Sequence, residues 1–170
     1  YDGAPPNGTR WGIVSVGKVD TPNIHYQLTY GQVGGVTAIR ADRLRQNVAH
    51  DYTVYTVTLT ADIWYHLALT YDGTDLKLIV DGTEQATAAV SGNGGANSTN
   101  DHFVLGALED SGTVTYATSN LGPFEIDDAR VWSIARSAAT INSEKSQELA
   151  GNEAGLVAYY KLNNNANDAT

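Results

Sequence analysis

The stretch "WYHLALTYDGTDLKLIVDGTEQAT", residues 64–87, constrains the fold more than any other part of the chain. Tyr65, Leu67, Leu69 and Tyr71 fall on one face of an extended segment, and Trp64, His66, Ala68 and Thr70 on the other, because side chains alternate along a strand. Leu76, Leu78 and Val80 alternate in the same way with Lys77 and Ile79. Asp72-Gly73 separates the two runs, and Asp81-Gly82 follows the second. Asp-Gly supplies the positive φ values that a tight hairpin demands, so the spacing predicts three antiparallel strands in a meander.

Period-two alternation recurs elsewhere. Tyr26, Leu28 and Tyr30 share a face, as do Tyr55, Val57 and Leu59, and residues 102–107, 124–133 and 155–162 are further strand candidates. Many strands joined by short turns indicate an antiparallel β-sandwich or jelly roll. One helix is expected near the C-terminus, with Ser137 as N-cap, Ala138 to Leu149 as body and Gly151 as stop. "SGNGGANSTND", residues 91–101, has loop composition. No linker divides the chain, so residues 1–170 read as one domain.

Bulk chemistry removes several function classes. With 42% hydrophobic and 17% charged residues, the composition is that of a globular domain and not of a disordered chain. A net charge of −9 argues against nucleic acid, which is held by clustered Lys and Arg; only Arg40, Arg43 and Arg45 cluster, beside Asp42. The absence of Cys excludes thiol catalysis and Cys-ligated zinc. No apolar run of about 18 residues exists, so no membrane insertion is expected. There is no Met, and Tyr1 is read as the start of a processed or excised piece.

The order of these motifs resembles the laminin G-like, pentraxin-like branch of the concanavalin A-like jelly rolls. "DIWYHLALTYDGTDLKLIVDGTE" resembles the central meander of that family, and "HFVLGAL" its next core strand. "GPFEIDDARVWSIARSAATI" resembles the strand leading into a short helix, and "ELAGNEAGLVAYYKLNNNANDAT" the closing strand and exit. The resemblance implies an all-β concanavalin A-like sandwich. It also implies that Tyr1 follows the family's opening strands. Either those strands lie elsewhere, or "GLVAYYKL" takes the place of one. A missing strand leaves an open sheet edge, and the expectation is that another segment or chain pairs with it.

Candidate site residues follow from chemistry and resemblance together. His66 has no nucleophile elbow near it and reads as a packed or hydrogen-bonded histidine. Glu125 and Asp127 are two apart and would share a strand face, similar to retaining β-glucanases of this fold. A second acid is needed about 5 Å from the nucleophile. Where those enzymes place it, this chain has Ala129 and Arg130. The glycosidase reading therefore stands as a minor alternative. The resemblance implies calcium instead: Asp127, or Asp128 in a shifted register, as a rim carboxylate, with Asp168 and Asn165 from the exit "NNNANDAT". An inward-facing Asp127, alternating with Ala129 and Val131, would need a partner or an ion. The blander reading pairs Asp127 with Arg130 or His66.

Exposed aromatics are stacking platforms for sugars, and Trp11, Tyr52, Tyr116 and Trp132 are candidates among ten Tyr and three Trp. Loops 31–50, 91–101 and 109–122 are where contacts are sought. The resemblance implies a noncatalytic, extracellular recognition or adhesion module, secreted or on a cell or virion surface. It would bind glycan or protein through rim loops, with calcium. A structural or decoration module without a small ligand is the other expectation.

Overall fold

The computed structural model describes residues 9–16, 24–45, 49–90, 103–107, 109–110, 115–116, 121–163 and 165–170. The 91–101 loop, residues 111–114 and 117–120, and Asn164 lie outside the described residues.

Four consecutive strands form most of the larger sheet: β1 (Arg10–Val16), β2 (Ile24–Val33), β3 (Val36–Arg45) and β4 (Ala49–Thr56). The meander follows as β5 (Leu67–Tyr71), β6 (Asp75–Val80) and β7 (Thr83–Ala89). Then come β8 (Phe103–Leu105), the short β9 (Glu109–Asp110) and β10 (Thr115–Tyr116), β11 (Ala129–Trp132), helix α1 (Ala138–Glu144) and β12 (Leu156–Tyr160). The sheets run β4-β3-β2-β1-β8, β5-β6-β7, β11-β12 and β10-β9, with antiparallel pairing throughout.

The meander forms as the spacing predicts. Leu69 pairs with Leu78 and Ala68 with Ile79 across the first hairpin. Its turn is held by one carboxylate: Asp72 Oδ1 accepts from the Thr74 and Asp75 backbone N–H groups and from the Thr74 hydroxyl. These bonds hold the Asp72 carboxyl down at about 2. Leu78 and Val80 of β6 bury against Leu28 and Tyr30 of β2 and Ile39 and Ala41 of β3, so the core lies between the two larger sheets. The Tyr30 hydroxyl, itself in that core, accepts from Leu59 N–H at 2.9 Å and anchors the chain leaving β4.

Four expectations need correction. Residues 31–45 and 49–50 are strand and tight turn, not an open loop, and residues 46–48 lie outside the described residues. Gly34 and Gly35, both at positive φ, turn β2 into β3 as a two-residue hairpin, and residues 38–45 pair on both sides. Two charged residues of this stretch, Asp42 and Arg43, are buried with partners. Asp42 is fully buried, paired with Arg40 at 2.5 Å and bonded by Gln27. Arg43 is fully buried over the Tyr71 ring, 3.4 Å from Asp51. The helix ends at Glu144, not Leu149, because the Arg130 guanidinium reaches the carbonyls of Glu144 and Gln147 and closes the helix end. Leu149 is buried beyond the helix.

The strand expected over 124–133 covers only Ala129–Trp132. Asp128 adopts φ 51 immediately before it, which breaks the alternation and leaves Asp127 exposed instead of facing inward. Residues 109–110 and 115–116, read as loop, pair as β9 and β10. The closing strand β12 pairs with β11, and Tyr160 stacks on Phe103 of β8 at 5.3 Å.

The Asp81-Gly82 turn leaves no room for a side chain at its second residue. Gly82 has φ 79, and a Cβ there would lie 2.3 Å from Asn142 Oδ1 of α1. Gly82→Ala should lower stability by about 1–3 kcal/mol in urea unfolding. Adding Asn142→Ala should recover only a fraction of the loss, because the Cβ kept at position 142 would still lie 2.5 Å from the new methyl group.

Candidate functional site

The Asp81-Gly82 turn gathers three segments at one end of the meander. The Asp81 N–H donates to the His66 carbonyl at 2.8 Å, and Asp81 Oδ1 accepts from the His66 N–H at 2.9 Å. Lys145, at the C-cap of α1, donates its Nζ to the Asp81 carbonyl and to Asn142 Oδ1. The 63–66 segment is thereby fixed ahead of β5 without joining it. Trp64, on the face opposite Tyr65, is left 64% exposed.

A cleft of about 360 Å³ opens beside it. Trp64, Tyr65 and His66 line one side, Asp81 the turn, Asp127, Asp128 and Arg130 the opposite side, and Lys145 and Ser146 the helix end. An indole beside several carboxylates provides a flat apolar surface next to hydrogen-bond acceptors. That combination suits a ligand with an apolar face and a hydroxylated edge. A second cleft of about 340 Å³ lies between Lys77, Glu84, Arg136 and Ala138, with no aromatic side chain among its lining residues.

The expected calcium ligands separate in this structure. Asp127 and Asp128 line the cleft, where Asp127 Oδ1 accepts from the Asp128 N–H. Asp128 accepts from the Tyr159 hydroxyl at 2.6 Å and lies 3.7 Å from Arg130 Nη2. Asp168 meets Tyr159 at its other end: Asp168 Oδ1 accepts from the backbone N–H groups of Tyr159 and Thr170 and from the Thr170 hydroxyl. Those bonds lower the Asp168 carboxyl. Asn165 Oδ1 accepts from the Asn167 N–H. Among the described residues, no three His, Cys, Asp or Glu side chains converge as a metal-holding group, so Asp127, Asp128 and Asp168 do not form one. The ion pair expected for Asp127 is made by its neighbour Asp128 instead.

Three of the four aromatic candidates pack against other side chains, and the Tyr116 side chain lies outside the described residues. Trp11 packs edge-on against Phe124 at 5.7 Å and near Tyr30 at 6.3 Å. Trp132 lies under the Arg136 guanidinium at 3.7 Å, and Tyr52, half-exposed, under that of Arg40 at 4.1 Å. Trp64 was not among the candidates, although the alternation that puts Tyr65 and Leu67 inward points it outward.

Comparison with known proteins fits this geometry. A laminin G model of the concanavalin A-like lectin/glucanases superfamily matches residues 4–142. The chain belongs to this superfamily. The crystal structure of a "putative carbohydrate binding protein" from Bacteroides ovatus superposes with a TM-score of 0.60 at 23% identity. The match covers 94% of this chain and 48% of that one, so the chain spans about half the length of the relative. At that identity the likeness shows the shared fold. An S-layer domain-containing protein from Clostridium thermocellum matches with a TM-score of 0.40 and 18% identity over 84% of this chain and 66% of that one. No curated protein matches the chain.

The superfamily holds both lectins and glucanases by name, so the position of Glu125 matters. Glu125 is exposed, lies outside β11 and does not line the Trp64 cleft. Arg130, five residues on, ties down the helix end and supplies no acid.

His66 tests the cleft's electrostatics. Burial lowers its pKa, and the nearby Arg130 charge lowers it further, so the folded state favours neutral imidazole. A His whose folded pKa is depressed binds fewer protons than in the unfolded chain. Its contribution is therefore complete above the ordinary value of 6.5 and is lost as pH falls below it. Between about pH 7 and pH 5, the wild type should lose stability more steeply than His66→Gln in parallel urea titrations. Equal slopes would contradict this placement of His66.

Proposed function

We propose that the chain is a noncatalytic recognition module that binds glycan in the Trp64 cleft. The observation that carries the reading is Trp64: a large aromatic side chain 64% exposed, held by a bonded turn, beside a cleft lined by carboxylates. Exposing an indole forgoes burial worth a few kcal/mol, and a sugar face stacked on it would recover part of that. The lectin membership of the superfamily and the carbohydrate-binding description of the Bacteroides ovatus protein support the same reading. An extracellular setting, secreted or at a cell or virion surface, belongs to this proposal.

A glycan array tests it. Wild type should bind a defined set of glycans, and Trp64→Ala should weaken binding at least about tenfold, the scale of an aromatic anchor. Because Trp64 is exposed, its circular dichroism should be unchanged. Release of reducing ends from β-glucans should be undetectable with either wild type or Glu125→Gln. An array without any binder would favour a structural or decoration module.

Calcium is a finer part of the proposal. An ion would sit on Asp127 and Asp128, the two expected ligands that share the cleft, with the rest of its six to eight oxygens from backbone, water or glycan. Binding to the native state alone stabilises by about 2.7 kcal/mol at a hundredfold excess over Kd. The melting temperature should then rise by several degrees over a chelated sample, and the rise should vanish in Asp127→Ala.

A further inference from the structure

The cleft's charges define which glycans it accepts, given the glycan reading above. Three carboxylates line it, Asp81, Asp127 and Asp128, against two cations, Arg130 and Lys145. Both cations are turned toward the protein itself. Arg130 donates Nη1 to the Glu144 carbonyl and Nη2 to the Gln147 carbonyl, and its guanidinium lies 5.2 Å from the Tyr159 ring centroid. Lys145 donates to the Asp81 carbonyl and to Asn142 Oδ1, which leaves one of its three N–H donors. Burial keeps His66 toward its neutral form. Asp128 is engaged by the Tyr159 hydroxyl and by Arg130, whereas Asp81 and Asp127 each have one oxygen bonded to a backbone N–H. The charge balance of the cleft is therefore negative, and Asp81 and Asp127 are the carboxylates with most acceptor capacity left.

We propose that this cleft selects glycans bearing a protonated amine, of the glucosamine type, over their neutral counterparts, and excludes uronic or sulfated glycans. The indole of Trp64 would take the apolar face of the ring, and Asp127 and Asp81 would face the ammonium. A carboxylate or sulfate in the same place would meet the like charges of Asp127 and Asp81, with a single Lys145 N–H left to offset them.

The test uses three probes of matched length: β-1,4-linked glucosamine oligomers, their N-acetylated counterparts, and oligogalacturonate. Each is titrated by calorimetry at low and at moderate salt, in chelator so that no cation occupies Asp127 and Asp128, and at a pH below the pKa of the sugar amine. The glucosamine oligomer should bind about two- to fivefold more tightly than the N-acetylated one, as one partly exposed ion pair allows, and the margin should shrink with salt. Oligogalacturonate should not bind. Asp127→Asn should abolish the margin between the first two probes. Glu84→Gln, an exposed acid away from this cleft, should leave the margin intact and so excludes a general effect of the acidic surface. Equal binding of the first two probes, a margin that survives Asp127→Asn, or binding of oligogalacturonate would each overturn the charge selection and leave the glycan reading standing. Failure of all three probes, with no effect of Trp64→Ala on any array glycan, would overturn both.

Discussion

The Asp81-Gly82 turn is the constraint on which the described site depends. It is first a hairpin, joining β6 to β7 at positive φ in both residues. Its carboxylate and N–H also clamp the His66 backbone, and its carbonyl receives Lys145 from the helix end. Because Gly82 has no side chain, Asn142 can lie against it. One turn thus fixes the approach to β5, the position of α1 and the exposure of Trp64. The opposite side of the cleft is fixed as closely. Arg130 joins β11 to the helix end, and Tyr159 of β12 receives Asp128 at its hydroxyl and Asp168 at its backbone.

Elsewhere the larger sheet carries charge where a simple sandwich would carry apolar residues. Arg43 faces the meander beneath Tyr71, and Asp42 points to the other side of the sheet, both fully buried. Buried charges of this kind are tolerated only when paired and bonded, and Asp51, Arg40 and Gln27 supply the partners. The pairs fix the register of β2, β3 and β4, since a one-residue slip would move Arg43 away from Tyr71 and Asp51. Their value lies in specificity of pairing more than in net stability.

The meander and its turns were legible in the sequence because each Asp-Gly carries its own backbone requirement and each strand its own alternation. The helix start was legible for the same reason: Ser137 accepts from the Thr140 N–H as an N-cap. What the sequence obscured was governed by contacts distant along the chain. Residues 36–45 look like a polar loop until Tyr71 and Asp51 are brought to Arg43. The helix looks longer until Arg130 caps it from another strand. Asp127 looks inward until Asp128 enters the left-handed region. For the site, Asp127 and Asp128 line the cleft, whereas Asp168 and Asn165 are not among its lining residues. Trp64 was passed over because an aromatic in a strand pattern is ordinarily packed, and only the clamp on His66 shows that this one stands outside the strand.

The central claim is that recognition occurs at the Trp64 cleft. The most direct measurement is a two-dimensional ¹H–¹⁵N NMR titration of the intact chain with the strongest glycan from an array. The account predicts that shifts concentrate on the Trp64 indole N–H and on the amides of His66, Asp81, Asp127 and Lys145. Shifts concentrated instead around Tyr52 and Arg40 on the larger sheet, or around Lys77 and Arg136 at the second cleft, would contradict it.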